Sequence, residues 1–167
     1  MDLQLQDKTA LVTGASVGIG RAIARVLAAE GVRLAITARR GDKLNELASE
    51  IVASGGKAPI LIEQDMYADD AAQRLAKAAI TGLGRVDILI NNAGGSRSFK
   101  DLHVSEAQWQ EAITLNFHRP RQLGDALIDQ MIQGKWGRII CITGKSEPEH
   151  INGAFCAKAG IHSWAKG

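Results

Sequence analysis

The stretch that most restricts the fold is Thr13-Gly14-Ala15-Ser16-Val17-Gly18-Ile19-Gly20. It follows an apolar run at 10–12 and leads into a segment with the residue spacing of a helix at 21–28. A buried strand, a glycine-rich turn and a helix N-terminus are therefore predicted in that order. The glycines allow a sharp turn, and the unpaired N–H groups of the first helical turn can hold an anion. Taken alone, the stretch also fits a plain tight turn, because its glycine spacing departs from G-x-G-x-x-G.

The chain of 167 residues is expected to form one domain, spanning 1–167. Hydrophobic residues make up 46 %, charged residues 23 %, and the formal net charge is +2, which gives no charge excess suited to nucleic acid or a membrane surface. No apolar run has the length of a membrane span, and the N-terminus lacks a signal-peptide core. We therefore expect a cytoplasmic protein with neither a nucleic-acid nor a membrane partner.

The two cysteines, Cys141 and Cys156, fall in segments that are expected to be buried. They lack the spacing of metal ligands, and no metal site is predicted. Buried thiols in a reducing cytoplasm are the favoured interpretation, while the sequence leaves a disulfide open.

Strand-like apolar runs alternate with helical patterns along the whole chain. The strands are predicted at 10–13, 32–38, 59–63, 86–91 and 137–143. Because such an alternation is typical of a parallel sheet with helices on both faces, the predicted fold class is α/β with a doubly wound sheet. In that architecture a ligand crevice lies at the carboxyl ends of the strands, which is where the glycine-rich turn is predicted.

A long helical pattern follows the fourth strand. Ser105 and Gln108 have the spacing of a capping box, and the pattern continues through Asn116 toward Gln133. Pro120 lies inside this pattern and lacks the N–H that a helix interior requires. We therefore expect a kink or a break near Pro120.

Four motifs occur in a fixed order along the chain. They are the glycine-rich turn at 13–20, Asn91-Asn92-Ala93-Gly94, Asn116 in the long helix and Ala157-Lys158-Ala159-Gly160. Together they resemble the short-chain dehydrogenase/reductase family over nearly the whole chain. The resemblance implies a Rossmann-type domain that binds NAD or NADP and transfers a hydride to or from a carbonyl or alcohol carbon. It also implies a homodimer or homotetramer.

The resemblance further implies a set of cofactor-binding residues. They are Gly14, Ser16, Gly18, Ile19 and Gly20 in the turn, Arg39 after the second strand, Asp65 and Met66 after the third, Asn92, Ala93 and Gly94 after the fourth, and Lys158. By the same resemblance, Asp65 and Met66 lie against the adenine. A carboxylate that caps a helix or a turn is the alternative role for Asp65.

The end of the second strand bears on the choice between NAD and NADP. An acidic residue there would accept hydrogen bonds from the ribose hydroxyls of NAD and repel a 2′-phosphate. This chain has Ala38 at that place, followed by Arg39 and Arg40, and a guanidinium pairs with phosphate through charge-assisted hydrogen bonds. NADP(H) is therefore favoured over NAD(H), with a solvated basic turn as the alternative.

The resemblance implies two catalytic positions directly. Asn116 corresponds to the asparagine that holds a water of the proton relay, and Lys158 to the lysine that holds the nicotinamide ribose. In the family this lysine also lowers the pKa of a tyrosine four residues earlier, a position that is Ala154 here. The general acid of the family is therefore missing from its usual place.

The family also has a serine after the fifth strand, and Gly144 or Lys145 falls at or beside that position here, with Thr143 and Ser146 as the flanking hydroxyls. Either hydroxyl could orient a carbonyl oxygen. The alternative proton donors in this region are Lys145, Ser146, Glu147, Glu149, His150 and Lys158 itself.

The chain ends at Gly167, whereas members of the family usually continue with two more strands and a segment that closes over the substrate. Three functions are compatible with these observations. The first is an NADP(H)-dependent oxidoreductase for a small carbonyl or alcohol substrate with an atypical active site. The second is an NADP(H)-binding protein without turnover, acting as a sensor or an oligomer subunit. The third is a nucleotide-binding domain with different chemistry.

Overall fold

The computed structural model describes residues 3–95, 99, 103–144 and 151–167. In chain order its elements are β1 (Thr9–Thr13), α1 (Gly18–Ala29), β2 (Arg33–Ala38), α2 (Gly41–Ala53), β3 (Ile60–Glu63), α3 (Ala71–Leu83), β4 (Ile88–Asn91), α4 (Glu106–Ile113), a π-helical turn (Thr114–His118), α5 (Arg119–Gln133), β5 (Arg138–Cys141) and α6 (Gly153–Trp164). The alternation of strands and helices is as predicted, and the last four strands are shorter than predicted.

The strands of the described residues run parallel in the order β3-β2-β1-β4-β5. At the centre, Thr13 of β1 lies opposite Thr37 of β2, and Val12 lies opposite Ile90 of β4. The chain moves outward from β1 to β3 on one side and then returns to β4 on the other. The carboxyl ends of β1 and β4 therefore form a topological switch point, where a crevice opens in sheets of this type.

The two faces of the sheet bury separate apolar clusters, because alternate residues of a strand point to opposite faces. On one face, Val12 of β1 packs with side chains of α1 and α2. On the other face, Leu11 packs with side chains of α3 and α5, among them Leu75, Leu123 and Leu127. Helices therefore cover both faces, which confirms the doubly wound, Rossmann-type α/β fold.

The long helix after β4 consists of α4, the π-helical turn and α5. It begins with the predicted capping box: Ser105 Oγ accepts from the N–H of Gln108 at 3.3 Å, and Gln108 Oε1 accepts from the N–H of Ser105 at 3.1 Å. Pro120 lies in the first turn of α5, where its missing N–H deprives the Asn116 carbonyl of an α-helical donor. The break expected near Pro120 is thus a widened helical turn that contains Asn116.

The prediction that both cysteines are buried is wrong for Cys156, which is exposed, while Cys141 is half-buried. Helix α6 buries one face, and Cys156 lies outside it. The buried residues of this face are Gly153, Ala154, Ala157 and Ile161. Both cysteines are free thiols.

None of the helices in the described part of the chain has the length and apolar character needed to cross a membrane. The same residues contain no group of three His, Cys, Asp or Glu side chains arranged to hold a metal ion.

Asp87 fastens the amino ends of the two central strands. Its Oδ2 accepts hydrogen bonds from the N–H and the hydroxyl of Thr9, both at 3.0 Å, and its Oδ1 lies 2.6 Å from Arg85 Nε. The side chain of Asp87 is buried, with 6 % of its surface exposed. This carboxylate therefore links β1 to β4 at the edge of the sheet opposite the switch point.

Asp87→Ala is expected to lower the free energy of unfolding by about 3 kcal/mol, because it leaves the Thr9 N–H without its side-chain acceptor and removes a buried ion-pair partner. The matched control is Asp125→Ala, which breaks the exposed Arg121–Asp125 pair on α5 and should cost less than about 1 kcal/mol. Urea unfolding followed by circular dichroism measures both changes. Equal losses in the two variants would contradict the role given to Asp87.

Candidate functional site

A cleft of about 1010 Å³ opens along the carboxyl ends of the strands. Its walls are the turn after β1, the ends of β2, β3 and β4, and one side of α4. Nine of the residues predicted to bind a cofactor line this cleft: Gly14, Ser16, Ile19, Arg39, Asp65, Met66, Asn92, Ala93 and Gly94. Residues that are up to 80 positions apart in the sequence are thus brought together at the predicted edge of the sheet.

The glycines of the turn have two different structural roles. Gly14 and Gly18 adopt the left-handed backbone conformation, with φ of 66° and 59°. Gly20 instead packs the first turn of α1 against the strand end, since an added Cβ would collide with the Gly14 carbonyl and the Asn92 amide. Gly18 and Gly20 shape the turn without lining the cleft.

The N-terminus of α1 borders the cleft, which Val17 and Ile19 line. Val17 is the N-cap residue, and no side chain caps this end of the helix. The first turn contains no acidic residue that would repel an anion. The first N–H groups of α1 therefore retain their hydrogen-bonding capacity for a ligand.

Thr13 and Asn92 join the turn to the end of β4. The hydroxyl of Thr13 accepts from the N–H groups of Asn92 and Ala93 at 3.0 and 2.9 Å and donates to the Ile90 carbonyl at 3.1 Å. In return, Asn92 Nδ2 donates to the carbonyls of Thr13 and Gly14 at 2.9 and 3.1 Å. The role of Thr13 could not be predicted from the sequence, because its hydrogen-bond partners lie almost 80 residues away.

Arg39 and Arg40 follow the end of β2 and line one end of the cleft. Both side chains are exposed. Within the described residues, neither guanidinium forms a hydrogen bond or an ion pair. This end of the cleft therefore carries two cations whose donors are available to a ligand.

Asp65 and Met66 form the cleft wall after β3. Asp65 Oδ1 accepts from the Tyr67 N–H at 3.0 Å, so this carboxylate stabilises a turn, as in the alternative role given above. Asp65 is exposed and also lines the cleft. Met66 is buried, with 7 % exposure, and packs into the core beneath this wall.

Asn116 and Lys158 meet beside Gly94. A Cβ atom added to Gly94 would lie 2.8 Å from Asn116 Oδ1 and 3.3 Å from Lys158 Nζ. Asn116 is fully buried, and its Nδ2 donates to the carbonyls of Gly95 and Ala112 at 3.0 and 2.9 Å. Lys158 Nζ donates to the Ile142 carbonyl at 2.7 Å. The two side chains lie behind the Gly94 backbone, and neither is among the described residues that line the cleft.

Burial sets the electrostatics around Lys158. Desolvation lowers its pKa below the ordinary lysine value of 10.5, and the nearby Cys141 opposes this shift. Desolvation also raises the pKa of the Cys141 thiol, while the Asn91 amide and the Lys158 ammonium act in the opposite direction. Asn91 Nδ2 lies 3.7 Å from Cys141 Sγ and donates to the Pro120 carbonyl at 3.1 Å, so Asn91 ties β4 to β5 and α5.

Ala154 occupies the position one helical turn before Lys158 on α6. It is buried, with 6 % exposure, and carries no ionisable group. Thr143 is exposed after β5. Among the other candidates for a hydroxyl or a proton donor, Lys145, Ser146, Glu147, Glu149 and His150 lie outside the described residues.

Lys158 is expected to titrate below 10.5, because burial disfavours the ammonium form. The unfolded chain holds this proton more tightly, so the contribution of Lys158 to the free energy of unfolding rises as the pH increases from the lowered pKa to 10.5. Reductive ¹³C-methylation followed by NMR titration measures the pKa directly, and a Lys158→Arg variant identifies the resonance. Titration at or above 10.5 would contradict the burial of this amine.

A model of the short chain dehydrogenase family matches residues 8–167. A short chain dehydrogenase of the fungus Pseudocercospora fijiensis is 39 % identical over 167 residues, which cover 95 % of this chain and 52 % of that protein. The chain thus spans about half the length of this relative.

Solved structures give the same result. A metagenomic short-chain oxidoreductase in complex with NADP is 36 % identical, with a TM-score of 0.89 over 96 % of this chain and 74 % of that one. A 7α-hydroxysteroid dehydrogenase complexed with NADH and 7-oxo glycochenodeoxycholic acid is 31 % identical, with a TM-score of 0.90 over 98 % and 64 % of the two chains. The family match, the cleft and the parallel sheet agree, and the chain belongs to the short-chain dehydrogenase/reductase family.

Proposed function

We propose that this protein is an NADP(H)-dependent oxidoreductase that acts on a small carbonyl or alcohol substrate. The observation that carries the proposal is the pair Arg39 and Arg40, which face the same cleft as the glycine-rich turn and have no partners within the described residues. The turn suits a pyrophosphate, and the two guanidiniums suit a further phosphate at the end of β2.

A dinucleotide fits the residues that are present. Gly14 and Gly94 line the cleft without side chains, and α1 offers uncapped N–H groups beside the turn. NADP rather than NAD is supported by Ala38 at the end of β2, because no carboxylate stands there to repel a 2′-phosphate. The related structure with NADP agrees with this choice, while the related hydroxysteroid dehydrogenase holds NADH.

The cofactor, when bound, supplies or accepts the hydride, and the chain's own residues hold the reactants. An ammonium has three donors, and Lys158 uses one of them on the Ile142 carbonyl, so the others are proposed to hold the nicotinamide ribose. Asn116 keeps the Gly94–Gly95 backbone in place through Gly95, and we propose that it also orients a water. Thr143 and Ser146 are the proposed hydroxyls that orient the substrate oxygen.

Ala154 supports a second candidate function, an NADP(H)-binding protein without turnover. A side chain that cannot ionise occupies the place of the family's general acid, so proton transfer must come from elsewhere or not occur. A sensor or an oligomer subunit would need the cofactor site and not the acid.

We propose that the protein forms a homodimer or homotetramer in the cytoplasm. The exposed side chains of Ile128 and Ile132 on α5 support association, with 42 % and 66 % of their surface accessible. The free thiols of Cys141 and Cys156 are consistent with a reducing compartment.

Arg39→Ala is expected to weaken NADPH binding by about 10- to 100-fold, because a charge-assisted hydrogen bond to the 2′-phosphate is lost. NADH, which lacks this phosphate, should keep its affinity within about twofold. The control is Arg33→Ala, an exposed arginine at the opposite end of the same strand. Titrations of both cofactors measure the changes, and equal wild-type affinities for NADPH and NADH would refute the proposed preference.

NADPH absorbance is expected to fall when the protein is mixed with a panel of small aldehydes and ketones. Lys158→Ala and Asn116→Ala should lower kcat by about 100-fold, since each removes a group proposed to hold the reactants. Arg33→Ala should leave the rate unchanged. Tight NADPH binding with no oxidation across the panel would reject turnover and support the second candidate function.

A further inference from the structure

Arg119, the first residue of α5, is a buried cation with no role in the function proposed above. Only 6 % of its surface is exposed. Its Nε donates to the Met66 carbonyl at 2.8 Å, its Nη2 to the Tyr67 carbonyl at 3.4 Å, and its Nη1 to Gln122 Oε1 at 2.8 Å. A guanidinium from the long helix therefore donates hydrogen bonds to two consecutive carbonyls of the turn that follows β3.

The acceptors of Arg119 within the described residues are all neutral. Burying a guanidinium without a carboxylate costs free energy that its hydrogen bonds must offset. Its donors form a rigid planar fork, which two bonds join to the Met66–Tyr67 turn and a third joins to Gln122 of its own helix. The arrangement therefore restrains the backbone of the Met66–Tyr67 turn more tightly than a neutral side chain could.

The same turn is held from its other side by Gln64. The Gln64 N–H donates to the Ala38 carbonyl at 3.0 Å, which ties the turn to the end of β2. Gln64 Nε2 donates to the Asp65 carbonyl at 2.7 Å, and Gln64 Oε1 accepts from Arg74 Nη2 at 3.2 Å. The segment with Asp65 and Met66, which line the cleft, is thus hydrogen-bonded to the end of β2 on one side and to α5 on the other.

We infer that Arg119 is a positioning residue that sets the cofactor affinity of the cleft by fixing the wall after β3. This inference rests on the proposed function, in which that wall receives the adenine. Arg119 itself lies beneath the wall and does not line the cleft. Its effect is therefore confined to the adenosine part of the cofactor, and the nicotinamide part, beside Lys158 and Gly94, does not depend on it.

The test compares Arg119→Met and Arg119→Lys with Arg121→Met, which removes a more exposed arginine of the same helix that pairs with Asp125. Three probes are titrated into each full-length variant: NADPH, adenosine 2′,5′-bisphosphate and reduced nicotinamide mononucleotide. In Arg119→Met, the first two should bind about tenfold more weakly, and the third should bind as in the wild type. Arg119→Lys keeps the charge and should lose less affinity, and Arg121→Met should match the wild type.

Circular dichroism reports whether each variant is folded. If Arg119→Met does not fold, the affinities of Arg119→Lys for the three probes are compared with those of the wild type. Unchanged affinity for adenosine 2′,5′-bisphosphate in a folded Arg119 variant would overturn the inference and leave the proposed function standing. An equal loss for all three probes would also overturn it, because a general structural role would then explain the effect. A wild-type protein that does not bind NADPH would instead refute the proposed function.

Discussion

The hydrogen bonds formed by the side chains of Thr13 and Asn92 hold the cleft in place, because they connect the carboxyl ends of β1 and β4 at the switch point. The Thr13 hydroxyl takes part in three of these bonds, and the side-chain amide of Asn92 donates two more to the carbonyls of Thr13 and Gly14. Thr13 is the last residue of β1 and Asn92 the first residue after β4, so these side chains extend the connection between the two strands beyond their last ladder pair, Val12 and Ile90. The path of the Gly14 backbone and that of Ala93 are thereby fixed relative to each other.

The proposed function assigns cofactor binding and proton transfer to different parts of this molecule. The described residues that line the cleft come from the ends of β1 to β4, from the segment before α4 and from the long helix. Asn116 and Lys158 lie behind Gly94. Of the described residues that follow β5, Ile142 accepts a hydrogen bond from Lys158. Ala154, one helical turn before Lys158, carries no ionisable group, so under the proposed function the proton donor would have to come from another residue while the cleft still receives the cofactor.

Local signals in the sequence predicted most of the fold and part of the site. The glycine-rich turn, the capping box at Ser105 and the break near Pro120 depend on residues a few positions apart, so their spacing alone reveals them. The roles of Thr13 and Arg119 could not be predicted, since the backbone groups that they hold at the ends of β4 and β3 lie more than fifty residues away. The predicted burial of Cys156 was wrong because burial on α6 depends on which face of the helix packs against the domain.

The π-helical turn Thr114–His118 has a geometric consequence for the whole cleft. A wider turn changes the phase of the helix, so side chains before and after it project at angles that a uniform α-helix would not give. Deleting one residue here would rotate all of α5 by about 100° about its axis relative to α4. Arg119 would then face away from β3 while α4 kept its contacts. The length of this single turn therefore sets the orientation of Arg119 relative to the α4 wall of the cleft. Insertions or deletions in the turn are predicted to be far more disruptive than in a surface loop.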